Sequence, residues 1–204
     1  MSTFRSLPLI LAAMVVVGCA SQDESEPAAA DDASQALACW LRQGTMDEAA
    51  ERVSPLRETT FTLGGEEAKL CYGAPSARGR TVFGELEAFG VPWRSGANEA
   101  TALHLPFAAM VGDIDLEAGS YSIYTVPGED EWGVVVNGTA ERWGIPISEE
   151  VRAADIGSFT VPRESTQMVE TLTWAWEPEG EDSGHLVLLW ETTRVPIPIR
   201  RGEM

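Results

Sequence analysis

The chain has 204 residues, of which 14 are basic and 32 are acidic, so its formal net charge is −18. This charge excludes a protein that binds nucleic acid through a basic surface. Hydrophobic residues make up 44% of the chain, and 12 Pro, 19 Gly and 7 Trp predict one turn-rich globular domain rather than a coiled coil or a disordered chain.

The first residues have the order of a bacterial secretory signal, with Arg5 before an apolar run at 7–17. The run is shorter than the roughly 20 residues that a membrane-spanning helix needs. Its end, V-V-G-C, resembles a lipobox, so we predict a lipoprotein signal peptide over residues 1–18 and lipidation of Cys19, with several acyl chains holding the protein at the membrane. The alternative is an ordinary secretory signal with an incidental cysteine. Ala20 stands where an aspartate would favour the inner membrane, so we predict a lipid-anchored cell-envelope protein on the outer membrane, facing the periplasm.

Residues 19–36 are rich in Ala, Ser, Asp and Glu and contain no aromatic residue, which predicts a disordered acidic tether. Lys69 is the only lysine in the chain, so the predicted surface is strongly negative and interrupted mainly by arginines. Salt screens the repulsion within such a surface, and the composition is typical of a halophile protein. The alternatives are a surface that repels anionic lipid and a GC-rich genome that replaces Lys codons with Arg.

A short helical segment is predicted over residues 37–55. A first helix covers 37–43 and ends at Gly44. Thr45 with Glu48 three residues later has the pattern of a capping box, which predicts a second short helix through Arg52.

The cysteine count predicts one disulfide. With Cys19 lipidated, Cys39 and Cys71 form an even pair in a compartment that permits disulfides. Two separate buried thiols are the alternative. We predict no metal site, because the chain has 2 His and neither lies at ligand spacing from a cysteine.

Beyond residue 56, apolar and polar residues alternate in short runs, as is typical of β-strands. Gly64-Gly65 between two such runs predicts a hairpin. The alternation would place Phe61, Leu63, Ala68, Leu70 and Tyr72 on shared faces. The spacing of the runs predicts an all-β domain over residues 56–200, an antiparallel β-sandwich that is jelly-roll-like. The predicted strands are 60–63, 66–72, 101–105, 113–116, 121–126, 132–137, 157–161, 168–176, 185–190 and, as an edge limited by Pro, 194–199.

Several common chemistries lack their sequence patterns. The chain has no G-x-S-x-G, H-E-x-x-H or C-x-x-C motif, no phosphate-binding loop and no dinucleotide fingerprint, so we predict no cofactor. His104 lies within a predicted strand and His185 follows a turn, and we interpret both as structural or exposed rather than catalytic. Trp174 and Trp176 alternate along a predicted strand, and we expect them in the core rather than in a ligand platform.

Two segments carry most of the candidate functional residues, LCYGAPSARGRTVFG at 70–84 and VPWRSGANEAT at 91–101. Arginine forks suit carboxylate or phosphate oxygens, and aromatic rings can wall a pocket. If both segments meet at one end of the sandwich, they would form a polar cleft of positive local charge in an acidic protein. The candidate ligand-binding residues are Tyr72, Arg78, Arg80, Trp93, Arg94, Asn98 and Glu99.

This reading predicts binding of a small polar or anionic ligand, or of a partner, at the cleft. In the alternative structural reading, the arginines and Asn98 satisfy backbone carbonyls of long turns. A second functional hypothesis is an envelope hydrolase or isomerase with Glu99 as general base and Arg94 as oxyanion stabiliser. A third is an interaction module without a small-molecule site, whose exposed edge strand receives another protein.

The two segments resemble paired signatures of the bacterial domain-of-unknown-function family 2911, in which Y-G-x-P-S-x-R-G-R precedes V-W-R-x-G-A-N-E-A-T. The match continues through 117–128, similar to P-A-G-x-Y-x-L-x-x-x-P-G, through Trp132, Asn137 and W-G at 143–144, and through the closing 189–199. The resemblance covers about 54–199. Glu117 replaces the usual Pro, Ser95 a common Thr, and V-P at 91–92 a frequent G-K. The resemblance implies a secreted or lipid-anchored β-rich domain and no assigned activity.

Overall fold

The computed structural model describes residue 1 and residues 38–202. The predicted signal peptide, lipidated Cys19 and acidic tether lie outside the described residues, apart from Met1. Among the residues described, no helix has both the length and the apolar character needed to cross a bilayer.

The N-terminal segment contains one short helix, α1 (Met46–Ala50), which begins with the predicted capping box. The backbone N–H of Glu48 donates to Thr45 Oγ1 at 3.2 Å, and Glu48 Oε2 accepts the backbone N–H of Thr45 at 2.8 Å. The predicted helix over 37–43 is wrong, because residues 38–43 have no regular structure. Tertiary contacts hold this stretch instead: Cys39 is disulfide-bonded, and the backbone N–H of Arg42 points to Glu99 Oε1 at 3.4 Å.

The rest of the described chain forms two antiparallel sheets, which confirms the predicted all-β sandwich. The strands are β1 (Leu56–Leu63), β2 (Glu66–Gly73), β3 (Ala97–Leu105), β4 (Ala109–Val111), β5 (Ile114–Leu116), β6 (Gly119–Val126), β7 (Glu131–Asn137), β8 (Asp155–Pro162), β9 (Glu164–Pro178) and β10 (Ser183–Arg201). The larger sheet has the order β1-β2-β3-β6-β7-β8, and the smaller has the order β5-β4-β10-β9. A second short helix, α2 (Glu149–Arg152), precedes β8.

The β1–β2 hairpin turns at Gly64-Gly65 as predicted, with Leu63 paired to Glu66. Both glycines have positive φ, +57° and +83°. A two-residue turn of this kind needs positive φ at both positions, and glycine adopts it without steric cost. Local sequence therefore sets the register of these two strands.

The core lies between the sheets and is built from alternate residues of the strands. The predicted shared-face residues of β1 and β2 are all buried in it. Trp174 is buried and its indole N–H donates to the carbonyl of Ser95 at 3.1 Å, while Trp176 stacks on Phe61 with ring centroids 4.5 Å apart. The expectation that these two tryptophans belong to the core is confirmed.

The last part of the chain differs from its prediction. The runs 185–190 and 194–199 belong to one strand, β10, which lies inside the smaller sheet and is not an edge. Register shifts accompany Glu191, whose φ is +55°. Pairing with β9 ends at Arg194 and pairing with β4 begins at Ile199, so the prolines at 196 and 198 lie between the two ladders, where their missing N–H removes no paired hydrogen bond. Strand β4 was not predicted, because three residues are too few to show alternation.

The predicted disulfide between Cys39 and Cys71 is confirmed, with Cα atoms 5.7 Å apart. Cys71 lies on β2 and packs with Ala102 and Ala140 in a small second cluster. The bond therefore attaches the N-terminal segment to the larger sheet.

Candidate functional site

The two arginine-bearing segments meet at one open cavity of about 250 Å³. Arg78, Arg80 and Arg94 all line it, together with residues that the prediction did not include. The further lining residues are Val53, Ser54, Pro75, Ser76, Leu86, Glu87, Gly96, Ala97 and Trp190.

The loop that follows β2 is fixed against β9 and presents Arg78. The backbone N–H of Ala77 donates to the carbonyl of Glu170 at 2.7 Å, and the hydroxyls of Ser76 and Thr171 are 2.9 Å apart. Arg78 has a φ of +54°, and its backbone N–H donates to the Glu170 carboxylate at 2.7 Å. The side chain of Arg78 is exposed, and among the described residues its guanidinium has no hydrogen-bond partner. Its N–H donors are therefore available to a ligand.

Arg80 is only partly available. Its Nε donates to the carbonyl of Ala77 and its Nη2 to the carbonyl of Ser76, both at 2.8 Å. These bonds match the structural reading, in which arginines satisfy loop carbonyls. The remaining donors of the guanidinium have no protein partner among the described residues, since an arginine carries five N–H groups.

Arg94 is half-buried and is held from two sides. Its Nε donates to the carbonyl of Gly96 at 3.1 Å. Its stem passes so close to Gly144 that a Cβ at that glycine would lie 2.3 Å from Arg94 Cδ. Burial lowers the pKa of the guanidinium, while the carboxylates of Glu87 and Glu99 raise it. The side chain is thus positioned at the cavity with both Nη groups unpaired within the described part of the chain.

Glu87 is the one carboxyl side chain that lines this cavity, and the sequence analysis missed it. Its backbone is fixed by hydrogen bonds with Val82 and Gly84 at 2.8 and 2.9 Å. Its carboxyl makes no hydrogen bond or ion pair within residues 38–202. Burial raises the pKa of this carboxyl, and the charge of Arg94 acts in the opposite direction. No sequence pattern distinguishes Glu87 from the other acidic residues, which number 32 with it.

Two predicted pocket residues lie in the core instead. Tyr72 is 3% exposed and Trp93 is 5% exposed, and neither lines the cavity. Trp93 stacks on Trp190 with centroids 5.8 Å apart and meets Phe83 and Trp132 edge to face. Trp190 borders the base of the cavity, but it is only 1% exposed and also belongs to the core. The alternation of β2 turns the Tyr72 side chain toward the core, in agreement with its predicted place on a shared face of the hairpin.

Asn98 and Glu99 follow Ala97 on β3 and do not line the cavity. Glu99 is 4% exposed and binds Arg52, whose Nη1 is 2.9 and 3.0 Å from its two carboxylate oxygens. Asn98 has a φ of +64°, and its Nδ2 donates to the carbonyl of Ser54 at 3.0 Å. Both residues hold the segment that contributes Val53 and Ser54 to the cavity, so they position its wall.

This placement removes the geometric support for Glu99 as a general base. That hypothesis requires Glu99 to point into a pocket within hydrogen-bond reach of the predicted arginines. Its carboxylate instead forms a buried ion pair with Arg52 on the N-terminal segment.

The cavity brings three guanidinium groups against one carboxyl, which gives it a positive local charge in a chain of net charge −18. Guanidinium groups with free N–H donors bind carboxylate and phosphate oxygens. Within residues 38–202 no three His, Cys, Asp or Glu side chains are grouped so as to hold a metal ion. The arrangement is suited to holding an oxyanion.

The two histidines lie away from this cavity. His104 is 4% exposed, and its Nδ1 is 2.7 Å from Ser120 Oγ. Burial, together with the charge of Lys69, lowers the pKa of its imidazole. His185 is partly exposed, with its Nδ1 3.6 Å from a carboxylate oxygen of Glu179. Both agree with their structural interpretation.

Comparison with known proteins identifies the family of the chain. No curated protein and no solved structure matches the chain. The family model described as "Protein of unknown function (DUF2911)" matches residues 54–199, which include both arginine-bearing segments and every strand except the last two residues of β10. The chain therefore belongs to the DUF2911 family.

Proposed function

We propose that the protein binds a small polar or anionic ligand in the cavity that Arg78, Arg80 and Arg94 line. The observation that carries the proposal is the convergence of these three side chains, from two separate segments, on one solvent-open space. The N–H groups left unpaired on Arg78 and Arg94 supply directional donors for a carboxylate or phosphate. The positive local charge would attract an anion that the rest of this acidic surface repels.

The arrangement also fits the size of a small ligand group. A volume of about 250 Å³ is slightly below the usual range of roughly 300–1,000 Å³ for small-molecule pockets. Ser54 and Ser76 add hydroxyl groups to the lining. A single anionic group with a few attached atoms is the size of ligand that the site supports.

Isothermal titration with inorganic phosphate and acetate, at constant ionic strength, tests this proposal. Replacing Arg78 with Gln removes one unpaired guanidinium and should weaken phosphate binding about 5- to 10-fold, which corresponds to roughly 1.0–1.4 kcal/mol. Arg57→Gln makes the same change of charge at an exposed position of β1 that does not line the cavity, and should leave the affinity within about twofold.

Two results would contradict the proposal. If neither phosphate nor acetate binds to the folded protein, the cavity is not an anion site. If Arg57→Gln weakens binding as much as Arg78→Gln, the attraction comes from overall charge and not from the cavity.

We also propose that the protein is lipid-anchored to the cell envelope through Cys19, on the outer membrane. The support is the order of residues 1–19, which lies outside the described structure. Cys19→Ala should release the protein from the membrane fraction into the soluble periplasmic fraction. Intact-mass measurement of the membrane form should show a chain that begins at residue 19 and carries acyl groups. A membrane-bound wild-type form that does not begin at residue 19, or that carries no acyl group, would contradict this anchor.

A further inference from the structure

The arginine-lined cavity has an apolar rim that simple anion binding does not use. Val53 is 75% exposed and Leu86 is 42% exposed, and both line the cavity. They come from different segments, one after α1 and the other in the loop between β2 and β3. The Leu86 loop continues with Phe89 and Val91, which are 39% and 53% exposed.

Single exposed apolar side chains are common on protein surfaces and need no explanation. Here two of them border the same opening as three guanidinium groups, so charged and apolar recognition groups lie side by side. An acetate-sized anion would contact the arginines and leave both apolar side chains in water. A ligand that carries an apolar chain next to its anionic group would cover them.

Resting on the function proposed above, we propose that the ligand is a single-chain amphiphile, an anionic head group with an unbranched apolar tail. The head group pairs with Arg78 and Arg94 in the cavity. The tail lies along the exposed apolar side chains of Leu86 and Val53, which line the cavity beside the arginines.

The ligand is a free amphiphile rather than a lipid in a bilayer. The formal charge of −18 repels an anionic membrane surface, and exposed Glu85 lies beside Leu86 in the same loop. A single molecule that enters the cavity avoids this repulsion, since its charge meets three arginines and not the acidic outer surface.

Titration with acetate, butanoate, hexanoate and octanoate, below their aggregation concentrations and at fixed pH and ionic strength, tests the inference. A methylene fully removed from water strengthens binding about fourfold. On a half-exposed rim we expect about a twofold gain in affinity for each added methylene, so the six methylenes that separate acetate from octanoate should strengthen binding by about 60-fold.

Leu86→Asn should reduce octanoate affinity at least fourfold and leave inorganic phosphate affinity unchanged. Ile156→Asn is the matched control, because Ile156 is 46% exposed on β8 and does not line this cavity. It should change neither affinity. Both positions are on the surface, and thermal unfolding of each variant checks that it is folded.

The outcomes separate this inference from the proposed function. If phosphate binds but affinity does not rise with chain length, the amphiphile is wrong and the anion site stands. If neither phosphate nor any carboxylate binds, the proposed function itself fails. A chain-length dependence that Leu86→Asn leaves intact places the tail elsewhere and overturns the inference, as does Leu86-dependent binding to phosphatidylglycerol vesicles as tight as that to octanoate.

Discussion

Replacing Asn98 tests whether this residue contacts the ligand or positions the wall of the cavity. Its sequence context predicts a ligand contact, whereas in the structure its Nδ2 donates to the carbonyl of Ser54 at 3.0 Å. Asn98→Ala removes that hydrogen bond, which contributes about 1 kcal/mol. It also places alanine at a φ of +64°, which costs about 1–2 kcal/mol because Cβ crowds the following carbonyl oxygen.

The expected loss for Asn98→Ala is therefore about 2–3 kcal/mol. For a domain of this size that lowers Tm by roughly 4–12 °C. Asn98→Gly loses the same hydrogen bond but adopts positive φ without strain, so it should recover about 1 kcal/mol relative to alanine. Thermal and urea unfolding, followed by tryptophan fluorescence, measure both differences.

Phosphate titration of the same variants, well below their Tm, decides the role of Asn98. A positioning residue should change phosphate affinity less than about twofold. If Asn98→Ala unfolds at the wild-type temperature and loses phosphate binding tenfold or more, Asn98 contacts the ligand and our assignment is wrong.

Three further predictions concern residues around the same site. Burial raises the pKa of Glu87, so the stability that its bound proton contributes is present at acid pH and is lost as the pH rises through the raised pKa. Glu87→Gln should therefore be more stable than wild type at neutral pH and equally stable in acid. Thermal unfolding measured against pH checks this, and a variant less stable than wild type at pH 7 would refute it. Gly144→Ala should lower the free energy of unfolding by about 1–3 kcal/mol and weaken phosphate binding, because the new methyl group would lie 2.3 Å from Arg94 Cδ. If the free energy of unfolding and the phosphate affinity both stay unchanged, Arg94 is not held by this contact and the prediction is wrong. Reduction of the bond between Cys39 and Cys71, 32 residues apart, should destabilise the domain by about 3–4 kcal/mol in the chain-entropy model, and a Tm that does not change with dithiothreitol would contradict it.

The two signature segments of the family serve different purposes in this chain. The first segment brings Arg78 and Arg80 to the solvent-open cavity, and the second begins by adding Arg94. The rest of the second segment turns into β3, where Asn98 and Glu99 hold the N-terminal segment through Ser54 and Arg52. These two residues of the second segment therefore stabilise the wall of the cavity and do not line its interior.

Local patterns in the sequence were enough to predict the sandwich, most strand positions, the Gly64-Gly65 hairpin, the capping box at Thr45 and the family. Alternation, glycine turns and capping depend on residues close together in the chain, so their physical cause is visible in the sequence. The disulfide was predicted from the number of cysteines and the expected compartment, and here the simplest pairing was the observed one.

Tertiary structure alone decided which polar side chains reach the cavity. Asn98 meets Ser54 across 44 positions and Arg52 meets Glu99 across 47, and neither spacing carries a local signal. Glu87 could not be distinguished from the other acidic residues until the fold placed it beside Arg94. Contacts between distant segments depend on how the strands are ordered and stacked, and that arrangement determines whether an arginine, an asparagine or a glutamate meets solvent or another part of the chain.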